Sequence, residues 1–248
     1  MRYAKPFRTY EEQACLLISR GMIADRDKLI KHLQDVGYYR LSGYWYIFKR
    51  SDETFFPETT FDKVWSLYVF DRQLRLVVLD AVERVEVYLR TQLAYYLAQG
   101  ARPFGFHEAA GLPNLDKRQY DKLMARFNDA LRRSREPFAL HFKEVYGDQH
   151  ELPPYWILVN LIDFGMVITL YRGAPNFVRK SISRDFGIEP RVMDSWLVAL
   201  NTTRNICAHH GRLWNLLDMR SEEEKRYMGF NDGWQDCPIW AKWLPRRD

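Results

Sequence analysis

The region from residue 61 to residue 99 contains neither glycine nor proline, the two residues that most often interrupt a helix. Thr59 and Asp62 have the spacing of a capping box, the pattern that opens many helices. Positions within the region recur at intervals of three and four, as one face of a helix does. These positions are Leu74, Val78, Ala81, Val85, Tyr88, Gln92 and Tyr95. The opposite face carries Arg72, Asp80, Glu83, Arg84 and Arg90. The region therefore predicts an amphipathic helix of up to about 55 Å.

Capping residues, prolines and glycines divide the remaining chain into further predicted helices. They cover approximately residues 9–21, 25–37, 120–135, 137–147, 155–171, 175–187 and 190–211. Residues 38–48 are too aromatic for a loop and are interrupted by Gly43, so a hairpin and a helix both remain open there. Because no strand–helix alternation is visible, we predict an all-α fold. We expect residues 1–58 to form a small helical and aromatic extension packed on the core. Residues 59–220 form the main helical domain, and residues 221–248 form a C-terminal tail.

Composition narrows the classes of protein that this chain can represent. Hydrophobic residues make up 47% and aromatic residues 15% of the 248 positions, which argues against intrinsic disorder. The net charge of +5 makes an anionic partner plausible. No apolar run is long enough to span a membrane, and Glu11 and Glu12 lie where a signal peptide would be apolar. Cys15, Cys207 and Cys237 form no CxxC pair, so we expect a cytoplasmic protein with free thiols.

The last predicted helix holds the polar residues with the clearest chemical potential. Val192, Trp196, Leu200, Thr203 and Cys207 trace a packing stripe along it. Arg204, Asn205 and His209 lie away from that stripe, and His210 follows directly. Two other Arg–His pairs have a similar spacing, but a proline interrupts each. They are Arg102 with His107 and Arg135 with His141. Only Arg204 and His209 share one uninterrupted helix, which makes them the candidate site.

The geometry of this pair raises the question of how its two side chains meet. Asn205 and His209 are four residues apart and are neighbours on one face. Arg204 and His209 are five apart, which separates them by about 140° around an ideal helix. They converge if the helix frays near Gly211, or if a two-fold related copy brings its own motif alongside. We favour the second arrangement and expect a homodimer.

Five blocks of sequence resemble the bacterial abortive-infection proteins of the AbiD/AbiF type, which belong to the HEPN superfamily. The blocks are residues 38–45 (YYRLSGYW), 70–75 (FDRQLR), 83–86 (ERVE), 153–156 (PPYW) and 204–215 (RNICAHHGRLWN). The resemblance implies a HEPN-like helical bundle and a dimeric phage-defence ribonuclease that cleaves RNA without a metal ion. It assigns the catalytic Arg and His to Arg204 and His209, and the polar position after the Arg to Asn205. It also implies a toxin restrained by an inhibitory small RNA or protein antitoxin.

The residue chemistry is consistent with this implication. RNA supplies its own nucleophile, the 2′-hydroxyl, so the protein needs a proton acceptor and a cation that stabilises the phosphorane. Histidine is the side chain that ordinarily exchanges protons near neutral pH, and Arg204 presents a planar fork to phosphate oxygens. We therefore predict products with 2′,3′-cyclic phosphate and 5′-hydroxyl ends, no cofactor, and activity that survives EDTA.

Other residues are candidates for supporting roles. His210, Glu83 and Glu86 lie where they would assist the motif, although Glu86 with Arg90 also fits an ordinary surface ion pair. A basic cluster on the helix predicted over residues 120–135 is a candidate RNA track and equally an exposed basic surface. Its members are Arg126, Arg132, Arg133 and Arg135. A zinc site built from Cys207, His209 and His210 would lack a second cluster of ligands, so we expect no metal.

Two further interpretations of the motif remain open. His209 and His210 would also complement the dipole at a helix C-terminus without doing chemistry. The same fold would alternatively serve as a non-cleaving RNA-binding module or as a sensor of another protein. Growth arrest that depends on Arg204 and His209 distinguishes a nuclease from either alternative.

Overall fold

The computed structural model describes residues 2 and 4–214, and within them the fold is all-α, as predicted. The ten α-helices of this described part are α1 Tyr10–Ser19, α2 Arg26–Val36, α3 Tyr38–Trp45, α4 Phe61–Ala101, α5 Lys117–Arg133, α6 Pro137–Tyr146, α7 Tyr155–Leu158, α8 Phe164–Gly173, α9 Asn176–Asp185 and α10 Pro190–Ala208. None of these helices combines the length and apolar character needed to cross a membrane. The predicted tail, residues 221–248 with Cys237, lies outside the described residues.

The chain forms two compact units. Unit 1 contains the described residues up to Val77 together with Arg212–Trp214, and unit 2 contains residues 78–211. The boundary therefore falls within α4.

In unit 1, the first two helices begin where their capping residues predict. Thr9 and Glu12 form a capping box at the start of α1, and the Asp25 side chain accepts a hydrogen bond from the Lys28 N–H at 2.9 Å. The segment that the sequence left open is helical: α3 is followed by a short 3₁₀ turn over Tyr46–Phe48. Its aromatic residues belong to the core of unit 1, in which Tyr44 and Trp45 are buried.

The long helix α4 has the predicted length, but its capping residue was predicted wrongly. The Thr59 hydroxyl donates to the Phe56 carbonyl oxygen at 2.7 Å and does not cap the helix. Thr60 does so, because its hydroxyl oxygen accepts a hydrogen bond from the Lys63 N–H at 3.3 Å. Thr59 and Thr60 can both cap a helix through their hydroxyl oxygens. The spacing from Thr59 to Asp62 pointed to the wrong one of the two.

The buried face of α4 in unit 2 also differs from the predicted stripe. Of the predicted positions from residue 78 onward only Val85 is fully buried, and Tyr95 is exposed. The buried positions are Val82, Val85, Leu89, Leu93, Ala94 and Leu97. This part of α4 carries apolar residues on several faces, including the exposed Val87, so that a spacing of three and four fits more than one stripe.

The predicted apolar helix over residues 155–171 is two helices, α7 and α8. The Asp163 side chain accepts a hydrogen bond from the Met166 N–H at 2.9 Å and starts α8 afresh. The carbonyl oxygens of Val159 and Ile162, freed by the break, accept hydrogen bonds from Arg90 of α4. Most of α8 is buried, which confirms its predicted central position.

Candidate functional site

Helix α10 carries the candidate site and is anchored through its apolar face. Pro190 lies in its first turn, as predicted, and Leu200, Thr203 and Cys207 are buried. Val192 was predicted to belong to this face but is exposed, because Met193 and Leu197 are the buried residues in the first half of the helix. The stripe is therefore correct in the half of α10 that bears the motif.

Arg204 lies on the partly exposed side of α10, with its charge not neutralised by the residues described. Its Nη1 donates a hydrogen bond to the side-chain oxygen of Asn205 at 3.2 Å. No Asp or Glu of the described chain lies within ion-pair distance of its guanidinium. Asn205 therefore orients Arg204 through a neutral contact that preserves its positive charge.

His209 and His210 directly follow the last residue of α10, and each has a different backbone role. Helix α10 ends at Ala208, and the His209 N–H donates to the Asn205 carbonyl oxygen at 3.0 Å. His210 has φ of +58°, the left-handed conformation that glycine usually supplies after a helix. The Gly211 N–H then donates to the Ile206 carbonyl oxygen at 2.7 Å, which completes a Schellman motif. The predicted end at Gly211 is thus three residues late.

Gly211 fits closely against α10, for a reason other than its backbone angle. A Cβ atom at this position would lie 3.0 Å from both the Ile206 carbonyl oxygen and its Cγ2 atom, which is closer than such contacts normally are. The glycine lets the chain turn tightly against the last turn of α10. This tight turn leaves the His209 and His210 side chains exposed.

The backbone of His209 bears on how the two catalytic candidates meet. His209 has φ of −89° and ψ of +16°, so the chain stays close to helical geometry up to this residue. The separation of about 140° between Arg204 and His209 therefore persists within one chain. In the described part of the chain no hydrogen bond joins the two side chains. Helix α10 itself is continuous up to Ala208.

Residues Arg212–Trp214 belong to unit 1, and the last two of them are bound by the buried carboxylate of Asp71. The backbone N–H groups of Leu213 and Trp214 donate to Asp71 Oδ1 at 2.9 and 2.5 Å. The other oxygen accepts hydrogen bonds from the Tyr44 hydroxyl at 2.6 Å and from Arg75. We call these five residues the Asp71 cluster.

Two neighbouring contacts extend the Asp71 cluster. Arg212 donates to the Gly43 carbonyl oxygen, and its guanidinium lies 5.9 Å from the centre of the Tyr46 ring. Burial, together with the hydrogen bond to Asp71, raises the pKa of Tyr44 to about 12, so its hydroxyl remains a donor. Three of the sequence blocks, residues 38–45, 70–75 and 204–215, thus contribute to one polar network. Sequence reasoning had not assigned Asp71 this role.

Glu83 and Glu86 do not join the motif by any hydrogen bond in the described chain. Glu83 is exposed. Glu86 forms an ion pair with Arg90, and both side chains are only 14% exposed. The i,i+4 pairing is confirmed, but Arg90 was predicted on the outer face of α4 and is instead largely buried, where it also binds the carbonyl oxygens of Val159 and Ile162.

The predicted basic cluster lies on α5 and just beyond its end, where acidic residues accompany it. Arg126 pairs with Asp163 at 2.6 Å, and Arg132 and Arg133 share Asp129 at 2.6 and 2.8 Å. A cleft of about 590 Å³ borders this surface. Its charged lining residues are Arg126, Arg133 and Arg135 together with Asp129, Glu136 and Asp163. Three cations face three carboxylates, so this cleft is electrically balanced.

A second cleft in unit 2 was not predicted. It is lined by Lys122 and Arg126 from α5, Arg172 from α8 and Arg179 from α9. These residues come from three helices that are distant in sequence, so no local run of charge marks the cleft. In the part of the chain that the structure describes, no three His, Cys, Asp or Glu side chains are grouped to hold a metal ion.

The family of the chain follows from residues that include both the motif and the Asp71 cluster. A model of the family of Abi-like proteins matches residues 31–215. This chain belongs to the Abi-like protein family. Its membership supports a role in abortive infection, the phage-defence process after which the family is named. The match to the Abi-like family begins within α2 and extends just past the described residues. No curated protein and no solved structure matches the chain.

Proposed function

We propose that this Abi-like protein is a metal-independent endoribonuclease that uses Arg204 and His209 of α10. One observation carries the proposal. Arg204 is partly buried in a well-formed helix and has no carboxylate partner among the described residues. The exposed His209 follows at the end of the same helix. Family membership supports the same conclusion, because cleavage of RNA is one way in which an infected cell is arrested.

The proposed reaction uses atoms that RNA and these side chains supply. The imidazole of His209 accepts the proton of a ribose 2′-hydroxyl while the 2′-oxygen forms a bond to the adjacent phosphorus. Arg204 donates to the non-bridging oxygens, whose negative charge grows in the phosphorane. The bond between phosphorus and the 5′-oxygen breaks, that oxygen takes a proton from water to become a 5′-hydroxyl, and His209 returns its own proton to the solvent. The other product ends in a 2′,3′-cyclic phosphate.

We further propose that the site is shared between two copies of the chain. Arg204 and His209 point to different sides of α10, which a two-fold axis beside the helix would overcome. Each composite site would then combine Arg204 of one copy with His209 of the other. Asn205 holds Arg204 in place through its side-chain oxygen, so its role is to position the cation.

Cleavage of a labelled RNA in EDTA tests the proposed chemistry. We expect the wild-type chain to produce 2′,3′-cyclic phosphate and 5′-hydroxyl ends, and Arg204→Ala and His209→Ala to lower the rate by at least about 10²-fold each. His141→Ala, which removes an exposed histidine of α6, is the matched control and should keep full activity. Cleavage that is abolished by EDTA, or that survives both motif substitutions, would contradict the proposal.

Mixing the two inactive variants tests whether the site is shared. Random exchange of subunits makes half of the dimers mixed, and each mixed dimer would hold one intact composite site. A 1:1 mixture of Arg204→Ala and His209→Ala chains should therefore recover about a quarter of wild-type activity. A site within one chain predicts no recovery at all. In cells, growth arrest by the wild type and by both variants equally would favour RNA sequestration without cleavage.

A further inference from the structure

The second cleft of unit 2 has a stronger positive charge than the cleft beside the predicted basic cluster. It encloses about 550 Å³. Its lining includes four cations, Lys122, Arg126, Arg172 and Arg179, and one carboxylate, Asp194. The neighbouring balanced cleft has three of each sign. An anionic ligand therefore gains more from the second cleft, which we call the α5–α9 cleft.

The four cations of the α5–α9 cleft differ in how far they are neutralised. Arg172 binds Asp194 through two hydrogen bonds of 2.6 and 3.0 Å, and Arg126 pairs with Asp163 at 2.6 Å. Lys122 and Arg179 have no carboxylate within ion-pair distance among the residues described. These two side chains supply the positive charge that the protein itself leaves uncompensated.

Arg179 is held in place without being neutralised. Its guanidinium lies 5.4 Å from the centre of the buried Tyr171 ring, and its Nε is buried without a hydrogen-bond partner in the described chain. Stacking on an aromatic ring orients the planar fork and preserves its charge. Arginines arranged in this way are suited to phosphate groups, which accept two parallel hydrogen bonds from the fork.

We propose that the α5–α9 cleft binds the phosphate backbone of the RNA strand, through Lys122 and Arg179 above all, at a distance in sequence from the Arg204–His209 site. The inference rests on the proposed function, since it supplies the grip on the substrate that the ribonuclease then cuts. It differs from the sequence-based prediction, which placed the RNA track on Arg126, Arg132, Arg133 and Arg135. Arg126 is common to both sets. Arg132 and Arg133 are not in the cleft and share the single carboxylate of Asp129.

Binding of a 2′-O-methyl RNA to the full chain tests the inference without any cleavage, because this RNA lacks the nucleophile. In fluorescence anisotropy, Lys122→Gln with Arg179→Gln should weaken binding by about 10-fold or more and reduce the slope of log affinity against log salt by about 1 to 2. The matched control is Arg118→Gln with Lys180→Gln, which removes two exposed charges from the same two helices. It should change affinity less than threefold. If Arg179→Gln perturbs folding, the exposed Lys122→Gln alone should still weaken binding severalfold.

The outcomes separate this inference from the proposed function. Equal weakening by both double variants would mean that only net charge matters, and it would overturn the cleft assignment. Wild-type binding that does not respond to Lys122 and Arg179 would also overturn it. Loss of binding in the cleft variant, combined with no cleavage of ordinary RNA by the wild type, would keep the cleft and contradict the nuclease. Cleavage that depends on His209, combined with RNA binding that does not change in the cleft variant, would support the nuclease and contradict the cleft assignment.

Discussion

The Asp71 cluster of unit 1 and the motif of α10 both contain polar and charged side chains, but they differ in burial and in how completely those side chains are hydrogen-bonded. Asp71 is fully buried, and its two oxygens accept four hydrogen bonds. Within the described chain Arg204 makes one side-chain hydrogen bond, to a neutral amide, and His209 is exposed. A buried charge must be paired to be tolerated, whereas chemistry requires groups that are still available to a ligand. The contrast assigns the first cluster a structural role, and it supports the proposal that the second acts on a ligand.

The largest expected effect is a loss of stability at Asp71, and it tests whether the Asp71 cluster is structural. Asp71→Asn replaces a charged oxygen with an amide nitrogen, which cannot accept the hydrogen bonds made to that oxygen, and it removes the negative charge that pairs with the buried Arg75. We expect the free energy of unfolding to fall by about 3–5 kcal/mol in urea denaturation. Asp80→Asn is the control, because Asp80 pairs with Arg84 on an exposed surface and should cost less than about 1 kcal/mol. A loss below 1 kcal/mol for Asp71→Asn would mean that the cluster does not stabilise unit 1.

The same contrast explains which parts of the fold the sequence could predict. Helices whose ends carry a distinctive residue were placed correctly, as with Thr9, Asp25, Pro137 and Pro190. The break between α7 and α8 was missed, because Asp163 is a single charged residue within a mostly apolar run. The carbonyl oxygens that the break frees are bound by Arg90, a residue distant in sequence. Local patterns cannot contain such a long-range compensation.

The candidate site was predictable to a different extent. Arg204, Asn205 and His209 stand out because no proline separates Arg204 from His209, unlike the other two Arg–His pairs, and because they are close together in sequence. The Asp71 cluster combines residues separated by more than 140 positions, and the α5–α9 cleft combines three helices. The basic run at residues 132–135 attracted attention because it is contiguous, yet two of its arginines share one carboxylate. A run of neighbouring basic residues therefore does not show how many of their positive charges are without a carboxylate partner.

A smaller effect is expected at His210, the one motif residue with an unusual backbone. Its φ of +58° is costly for a residue with a Cβ atom and free of cost for glycine. We expect His210→Gly to be more stable than His210→Ala by about 1 kcal/mol in thermal or urea unfolding, since both variants lose the same imidazole. Equal stability of the two variants would show that the left-handed turn does not persist in solution. RNA cleavage by the more stable variant would then report whether the His210 side chain is needed as well.

The smallest expected effect on stability is at His209, and it tests the functional half of the contrast. The side chain is exposed and makes no hydrogen bond within the described chain, so His209→Ala should change the free energy of unfolding by less than about 0.5 kcal/mol. A histidine that merely complements the helix dipole would instead cost about 0.3–1 kcal/mol and leave RNA cleavage intact. Measuring unfolding and cleavage on the same preparation separates these cases. A residue that contributes almost nothing to folding and almost everything to cleavage is positioned for chemistry, whereas a loss of stability with full activity would move His209 into the structural class alongside Asp71.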